Sequence, residues 1–190
     1  MAKPTGRAIR DELIERSKDL IQSRGIGEFS YGALAAEIGI KAPSIHHHFP
    51  RKEQLVAEVA AQYASDFGVS VNEIRDTSAV KRIVSYADLY ATTARSGRTC
   101  LCGAIATEWA SVGAEAQVVV DQFFADQVNW LRSEILSGQR KGEIRSDGVS
   151  ALKLARTIFA SLQGSLLLAR SDIAFANTAA ATSDLLSQFE

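Results

Sequence analysis

The chain has 190 residues, 46% hydrophobic and 23% charged, with a formal net charge of −1. That mix excludes an intrinsically disordered chain and a uniformly basic, histone-like binder of nucleic acid. The length suffices for a core without metal or disulfide staples, and only 3 prolines among alanine- and leucine-rich windows favour long helices over a β-sandwich.

Apolar runs such as 118–120 and 166–169 fall far short of the roughly 20 residues a membrane helix needs. Residues 1–7 are polar and basic, and charged residues recur through Asp19, so no signal-peptide core follows and a cytoplasmic location is expected. Cys100 and Cys102, separated by one residue, make no disulfide framework. A reducing cytosol keeps both as thiols.

The first predicted helix spans 8–24, with Ile9, Leu13 and Leu20 on one face and Ile14 and Ile21 extending it. Asp11, Glu12 and Glu15 sit early and Arg24 at the end, where the helix dipole favours each sign. Gly25 and Gly27 break the run. Ser30 is the N-cap of a short helix, Tyr31–Ile38, and Gly39 sits at its C-cap position. A second short helix covers 42–48, with Pro43 in its first turn, and Phe49-Pro50 closes it. The next helix runs from about 51 to 74, where Leu55, Val59, Ala60, Tyr63 and Phe67 recur every three or four residues.

After a break at 76–78, residues 79–95 read as helix, with Ile83, Tyr86, Ala87 and Tyr90 on one side and Ser96-Gly97 as the stop. A compact helical stretch at 102–111 is followed by Val112-Gly113 and a long helix at about 114–138, striped by Val120, Phe123, Phe124, Val128 and Leu131. The polar segment 140–148, with two glycines, reads as a loop; 149–170 and 177–189 are the last two helices. No window alternates with period two. The fold class is all-α, with about nine helices and no sheet.

A helix of about 17 residues followed by two short helices with a tight turn at Gly39 is the helix-turn-helix pattern, whose second short helix enters the major groove. Ile40 and Ile45 supply the apolar backing. Lys41, Ala42, Pro43, Ser44 and His46 to His48 supply the outer face. Charge agrees: residues 1–52 hold nine Lys/Arg and six Asp/Glu, giving +3, whereas the remaining 12 and 16 give −4. The near-neutral total conceals a basic head on an acidic body.

The stretch 25–55, GIGEFSYGALAAEIGIKAPSIHHHFPRKEQL, resembles the DNA-binding domain of TetR/AcrR-type transcriptional repressors. The matching signs are Ser30 before a short helix, Leu34-Ala35, Gly39-Ile40, Ser44-Ile45, His48-Phe49 and Lys52-Glu53. Residues 99–170 resemble one branch of the family's C-terminal domains more weakly, through Cys102-Gly103-Ala104 with Glu108, then Gly138, Gly142-Glu143-Ile144 and Gln163-Gly164. The resemblance implies an all-α homodimer, with a head at 1–52 that reads half of an inverted-repeat operator in double-stranded DNA. It implies a body at 53–190 that dimerises and holds a small-molecule inducer. Ligand binding would part the two heads and release the operator.

Residue by residue, the expected DNA-binding set is Ser30, Lys41, Ala42, Pro43, Ser44, His46, His47 and Lys52. Ser30 serves as a helix cap, a phosphate ligand, or both. Lys41 and Ala42 depart from the family pattern, which has a small hydroxyl and then a basic residue there; the lysine has moved one place. Ser44 can contact base or phosphate, while Ala42 and Pro43 offer only apolar contact, for instance to a thymine methyl. His46 stands where the family has a tyrosine that contacts the backbone. His48 reads as a packed or capping residue. Consecutive helix positions diverge by about 100°, so the three histidines do not converge on a metal ion, and no cofactor is expected.

The expected ligand-binding set is Tyr86, Tyr90, Cys102, Trp109, Phe123 and Trp130, whose aromatic stripes are either core or walls for a partly apolar inducer. Cys100 and Cys102 read either as small buried hydrophobes or, beside Arg98, as an electrophile or redox sensor. The apolar segment 152–168, with Gly164, and the last helix form the expected dimer face, a four-helix bundle across a two-fold axis. No phosphate-binding loop, H-E-x-x-H or G-x-S-x-G is present, so no catalytic residue is expected. A helical ligand-binding protein that does not bind DNA is the competing class.

Overall fold

The structure, a computed structural model, describes residues 6–146, 148 and 150–189. Residues 1–5 of the expected head and Asp147 and Val149 near the expected 140–148 loop lie outside the described residues. The described residues form nine α-helices and no strand: α1 (Gly6–Arg24), α2 (Tyr31–Ile38), α3 (Ala42–His48), α4 (Lys52–Asn72), α5 (Ala79–Arg95), α6 (Leu101–Ala106), α7 (Ala114–Lys141), α8 (Ala151–Leu168) and α9 (Thr178–Ser187). Single 3-10 turns sit at Trp109–Ser111 and Ile173–Ala176. No helix among the described residues is long and apolar enough to cross a membrane.

The chain divides into two compact units. The first comprises Met1–Asp66 with Leu101–Asp121 and the second Phe67–Cys100 with Gln122–Glu190. In the first, Leu13 and Ile21 of α1, Leu34 of α2, Ile45 of α3 and Leu55 of α4 are wholly buried. α6 packs on α1 there. Local chemistry sets the short helices. Ser30 Oγ accepts the Ala33 amide at 3.1 Å, and Gly39 takes the left-handed φ of +74° that a C-cap requires. In the second unit α5 is the buried helix, packed by α8, α9 and the second 3-10 turn. The Thr178 hydroxyl of α9 donates to the Ala87 carbonyl of α5 at 2.7 Å.

Four local expectations are corrected. α1 begins at Gly6, so Asp11, Glu12 and Glu15 lie beyond its first turn, which holds no acid. The 102–111 stretch is α-helical only to Ala106. There the Thr107 hydroxyl donates back to the Ala104 carbonyl at 2.7 Å and the Glu108 amide to Ile105, tightening the chain into a 3-10 turn. α7 continues past Gly138 to Lys141, so Arg140 is helical rather than loop. The stop is Gly142, at φ +73°, and the Gly138 carbonyl accepts the amides of Glu143 and Ile144. Finally, 149–170 contains α8 only to Leu168, after Ser150 caps it by accepting the Lys153 amide at 3.2 Å.

Candidate nucleic-acid interface

α3 buries one residue, Ile45, against the head. Around that anchor Lys41, Pro43, Ser44, His46 and His47 are exposed, and Ala42 and His48 are half-buried. No side chain caps α3: Lys41 occupies the N-cap position with extended backbone, and Pro43 stands in the first turn, where its missing N–H costs nothing. The outer face therefore carries donors from lysine, serine and imidazole groups beside a methyl and a pyrrolidine ring.

The C-terminal end of α3 is held by a residue outside the expected set. Tyr31 Oη donates to the Phe49 carbonyl at 2.8 Å, and the Tyr31 ring meets His46 edge-on at 4.8 Å. Burial, with the Glu53 carboxylate adding to it, pushes the Tyr31 phenol up to about 12, so it stays a neutral donor at physiological pH. His46 Nδ1 lies 3.4 Å from the Pro50 carbonyl. Arg10 of α1 covers the Phe49 ring, 5.0 Å from its centroid, and pairs with Glu58 at 2.9 Å. Tyr31 follows a capping serine in an ordinary helix start, and nothing local in the sequence marks it.

Ser30 is exposed and makes the cap, which uses its oxygen as acceptor and leaves its O–H hydrogen to donate elsewhere. Lys52 is the first residue of α4. Its ammonium lies over the Phe29 ring, 5.4 Å from the centroid, on the edge of a 270 Å³ cavity that Glu53 and Glu108 also line. Glu108 is exposed there.

The expected ligand residues fall into two groups. Tyr86, Tyr90, Phe123 and Trp130 belong to the second unit; Cys102 and Trp109 belong to the first. In the second unit Tyr86 stacks on Trp130 with centroids 4.9 Å apart. Phe67 meets Tyr86, Tyr90 and Phe123 edge-on at 6.0, 5.6 and 5.5 Å. Tyr86 Oη donates to Gln127 Oε1 at 3.1 Å, so the 3.1 Å contact with Tyr90 Oη is donated by Tyr90. Burial raises the Tyr86 phenol above its ordinary value, the Tyr90 hydrogen bond opposing and Cys100 reinforcing the shift. Arg82 forks onto Glu134 at 2.8 and 3.1 Å and lies over Trp130. Phe67 and Gln127 complete this cluster without having been expected in it. Trp109 is 38% exposed, whereas Cys100 and Cys102 are wholly buried thiols outside any disulfide.

A short helix anchored by one buried residue, with its polar face outward after a tight glycine turn, defines a helix-turn-helix protein. Residues 13–59 match the family model of bacterial regulatory proteins, tetR family. Over 69 residues the chain is 32% identical to the HTH-type transcriptional repressor KstR2 of Mycolicibacterium smegmatis; the match takes in 36% of this chain and 34% of that protein, about a third of the relative's length. Two solved structures resemble it throughout. A TetR transcriptional regulator from Legionella pneumophila superposes with a TM-score of 0.81 at 26% identity, covering 100% of both chains. A TetR-family regulator from Agrobacterium tumefaciens gives 0.89 at 24% identity, covering 97% of this chain and 99% of that one. Residues 13–59 therefore match a tetR-family DNA-binding region, and the whole chain shares the fold of TetR-family transcriptional regulators.

Proposed function

We propose that the chain is a repressor that binds an inverted-repeat operator as a homodimer in the cytoplasm and is released by a small, partly apolar inducer. The observation that carries this reading is α3. Ile45 is its one buried residue, and its exposed Lys41, Ser44, His46 and His47 lie in a +3 head. Phosphate contacts fall to Ser30, Lys41, His46, His47 and Lys52, and base-edge contacts to Ser44 with Ala42 and Pro43. Residues 1–52 act as the reading head and 53–190 as the ligand and dimer body. The repressor sign is supported by the KstR2 relative, itself an HTH-type transcriptional repressor.

For self-association, α8 and α9 supply the surface. A Cβ added at Gly164 meets nothing within 4 Å in a single chain, and Leu167 and Leu168 are exposed. A second copy packed there would bury them. For the inducer, the Tyr86, Tyr90, Phe123 and Trp130 cluster supplies ring faces, two phenol hydroxyls and an amide at Gln127. A ligand that enters it must displace that packing, which couples binding to a shift between two states of the body. Complete burial of Cys100 and Cys102 favours this reading over cysteine-based sensing, because a sensor thiolate needs reagent access.

Selection of duplexes from a random pool by the full chain tests the reading. The expected product is a two-fold symmetric site, with preference altered by Ser44→Ala. A pool that yields no enriched site contradicts it.

A further inference from the structure

The acidic body holds a cleft lined by three arginines. Residues 53–190 hold 12 Lys/Arg and 16 Asp/Glu. Yet three of those arginines, Arg95, Arg98 and Arg170, line a single 280 Å³ cleft in the second unit, where the C-terminal ends of α5 and α8 meet the second 3-10 turn. None of its described lining residues is acidic. The floor is apolar, made by Ala94, Leu166 and Ile173, and Ile173 is 63% exposed, a large aliphatic side chain left open to water.

Backbone turns present the cations. Gly97 takes φ +71°, and the Gly97 and Arg98 amides return to the Ala94 and Thr93 carbonyls at 2.9 and 3.2 Å. The chain therefore doubles back and carries Arg95 and Arg98 to the same rim. Opposite, the Arg170 amide closes on the Leu167 carbonyl at 3.3 Å as α8 ends. The Arg95 guanidinium donates to Thr92 Oγ1 at 3.1 Å and reaches Asp88 only at 3.5 Å, with both side chains 56% exposed. A surface pair of that kind holds an arginine weakly and leaves it available to a better acceptor. Three guanidinium groups around one cavity raise its local potential, and planar fork geometry suits carboxylate or phosphate oxygens.

We infer that this cleft binds an amphiphilic organic anion, a carboxylate or phosphate monoester whose alkyl or ring portion lies on Leu166 and Ile173. The alternative occupant, a nucleic-acid backbone, has the charge but nothing to fill an apolar floor. The cleft shares no lining residue with α3 or with the Tyr86–Trp130 cluster, so the inference does not depend on the operator reading.

Calorimetric titration of the full chain with octanoate and octyl phosphate tests it, with 1-octanol and inorganic phosphate as partial mimics. Both anionic amphiphiles are expected to bind, each at least about tenfold more tightly than either mimic. Arg98→Gln with Arg170→Gln is expected to weaken octanoate by about tenfold or more, whereas Arg132→Gln leaves it unchanged. Should the double variant not fold, hydrogen exchange on the native chain replaces it, with octanoate slowing exchange at 94–98 and 166–173. Absence of binding, equal binding of 1-octanol, protection confined to the Tyr86–Trp130 cluster, or an unweakened double variant would each overturn the site. So would a double variant that keeps octanoate affinity and loses DNA binding, which marks the arginines as phosphate-backbone contacts. An operator selected normally by a chain that ignores octanoate defeats this inference and leaves the regulator reading intact.

Discussion

α3 and α5 are built on opposite plans. α3 buries one of its seven residues, Ile45, while α5 buries seven of its seventeen, including Tyr86 and Tyr90. A helix with one buried side chain keeps most of its chemistry on the surface, where substitution disturbs little packing. A helix packed on most of one face ties its chemistry to stability. Hydroxyl and imidazole groups on α3 are therefore open to change by single substitution, whereas any polar role for the tyrosines of α5 is entangled with the core.

The largest expected effect lies on the α5 side. Tyr86→Ala removes a buried ring that stacks on Trp130 and deprives Gln127 of its donor. Loss of about 3–5 kcal/mol is expected in urea unfolding, as for other large-to-small core changes. A loss below about 1 kcal/mol would show a loosely packed cluster and would collapse the contrast with α3. Next is Gly138→Ala, since an added Cβ would stand 2.8 Å from Ile144 Cδ1 and 3.1 Å from Ala79 Cβ. A loss of about 1–2 kcal/mol is expected in the same assay. Combining it with Ile144→Val, which removes the clashing methyl, should recover part of that loss in a double-mutant cycle.

The smallest effect is electrostatic. Hydrogen bonds from the Ser78 hydroxyl at 2.9 Å and the Ala79 amide at 2.6 Å, with Lys141 nearby, hold the Glu143 carboxyl below its ordinary value. A lowered folded-state value means the contribution is complete above the unfolded-state value and is lost as pH falls through the folded one. Stability of the parent should thus decline in that acid range more steeply than that of Glu143→Gln, as read by thermal melts from pH 6 to pH 3. Parallel curves would remove Glu143 as an anchor of the α7 terminus.

Features written in adjacent residues were legible in the sequence. Ser30, Gly39 and Pro43 act through their own backbone, so their capping and turn roles follow from residue type and position, and the helix-turn-helix follows from them. Helix ends that depend on side-chain back-bonding were not, as at Thr107, nor was the continuation of α7 through Gly138, where Ile144 and Ala79 occupy the space beside the glycine. The aromatic stripe of α5 was visible, but its grouping with Phe67 and Gln127 arises only from tertiary packing. Tyr31 supports α3 from eighteen residues away from the carbonyl it contacts. Arg98 and Arg170 line one cleft although α6, α7 and α8 lie between them in the chain. No local pattern announces pairings of that span.

The claim that α3 and the start of α4 form the reading head is tested most directly by gel-shift titration of His46→Ala with Lys52→Ala against specific and random duplexes. Binding to both duplexes is expected to weaken by about tenfold or more, with a reduced salt slope and unfolding by urea within about 1 kcal/mol of the parent. Parental affinity in the double variant would contradict that claim.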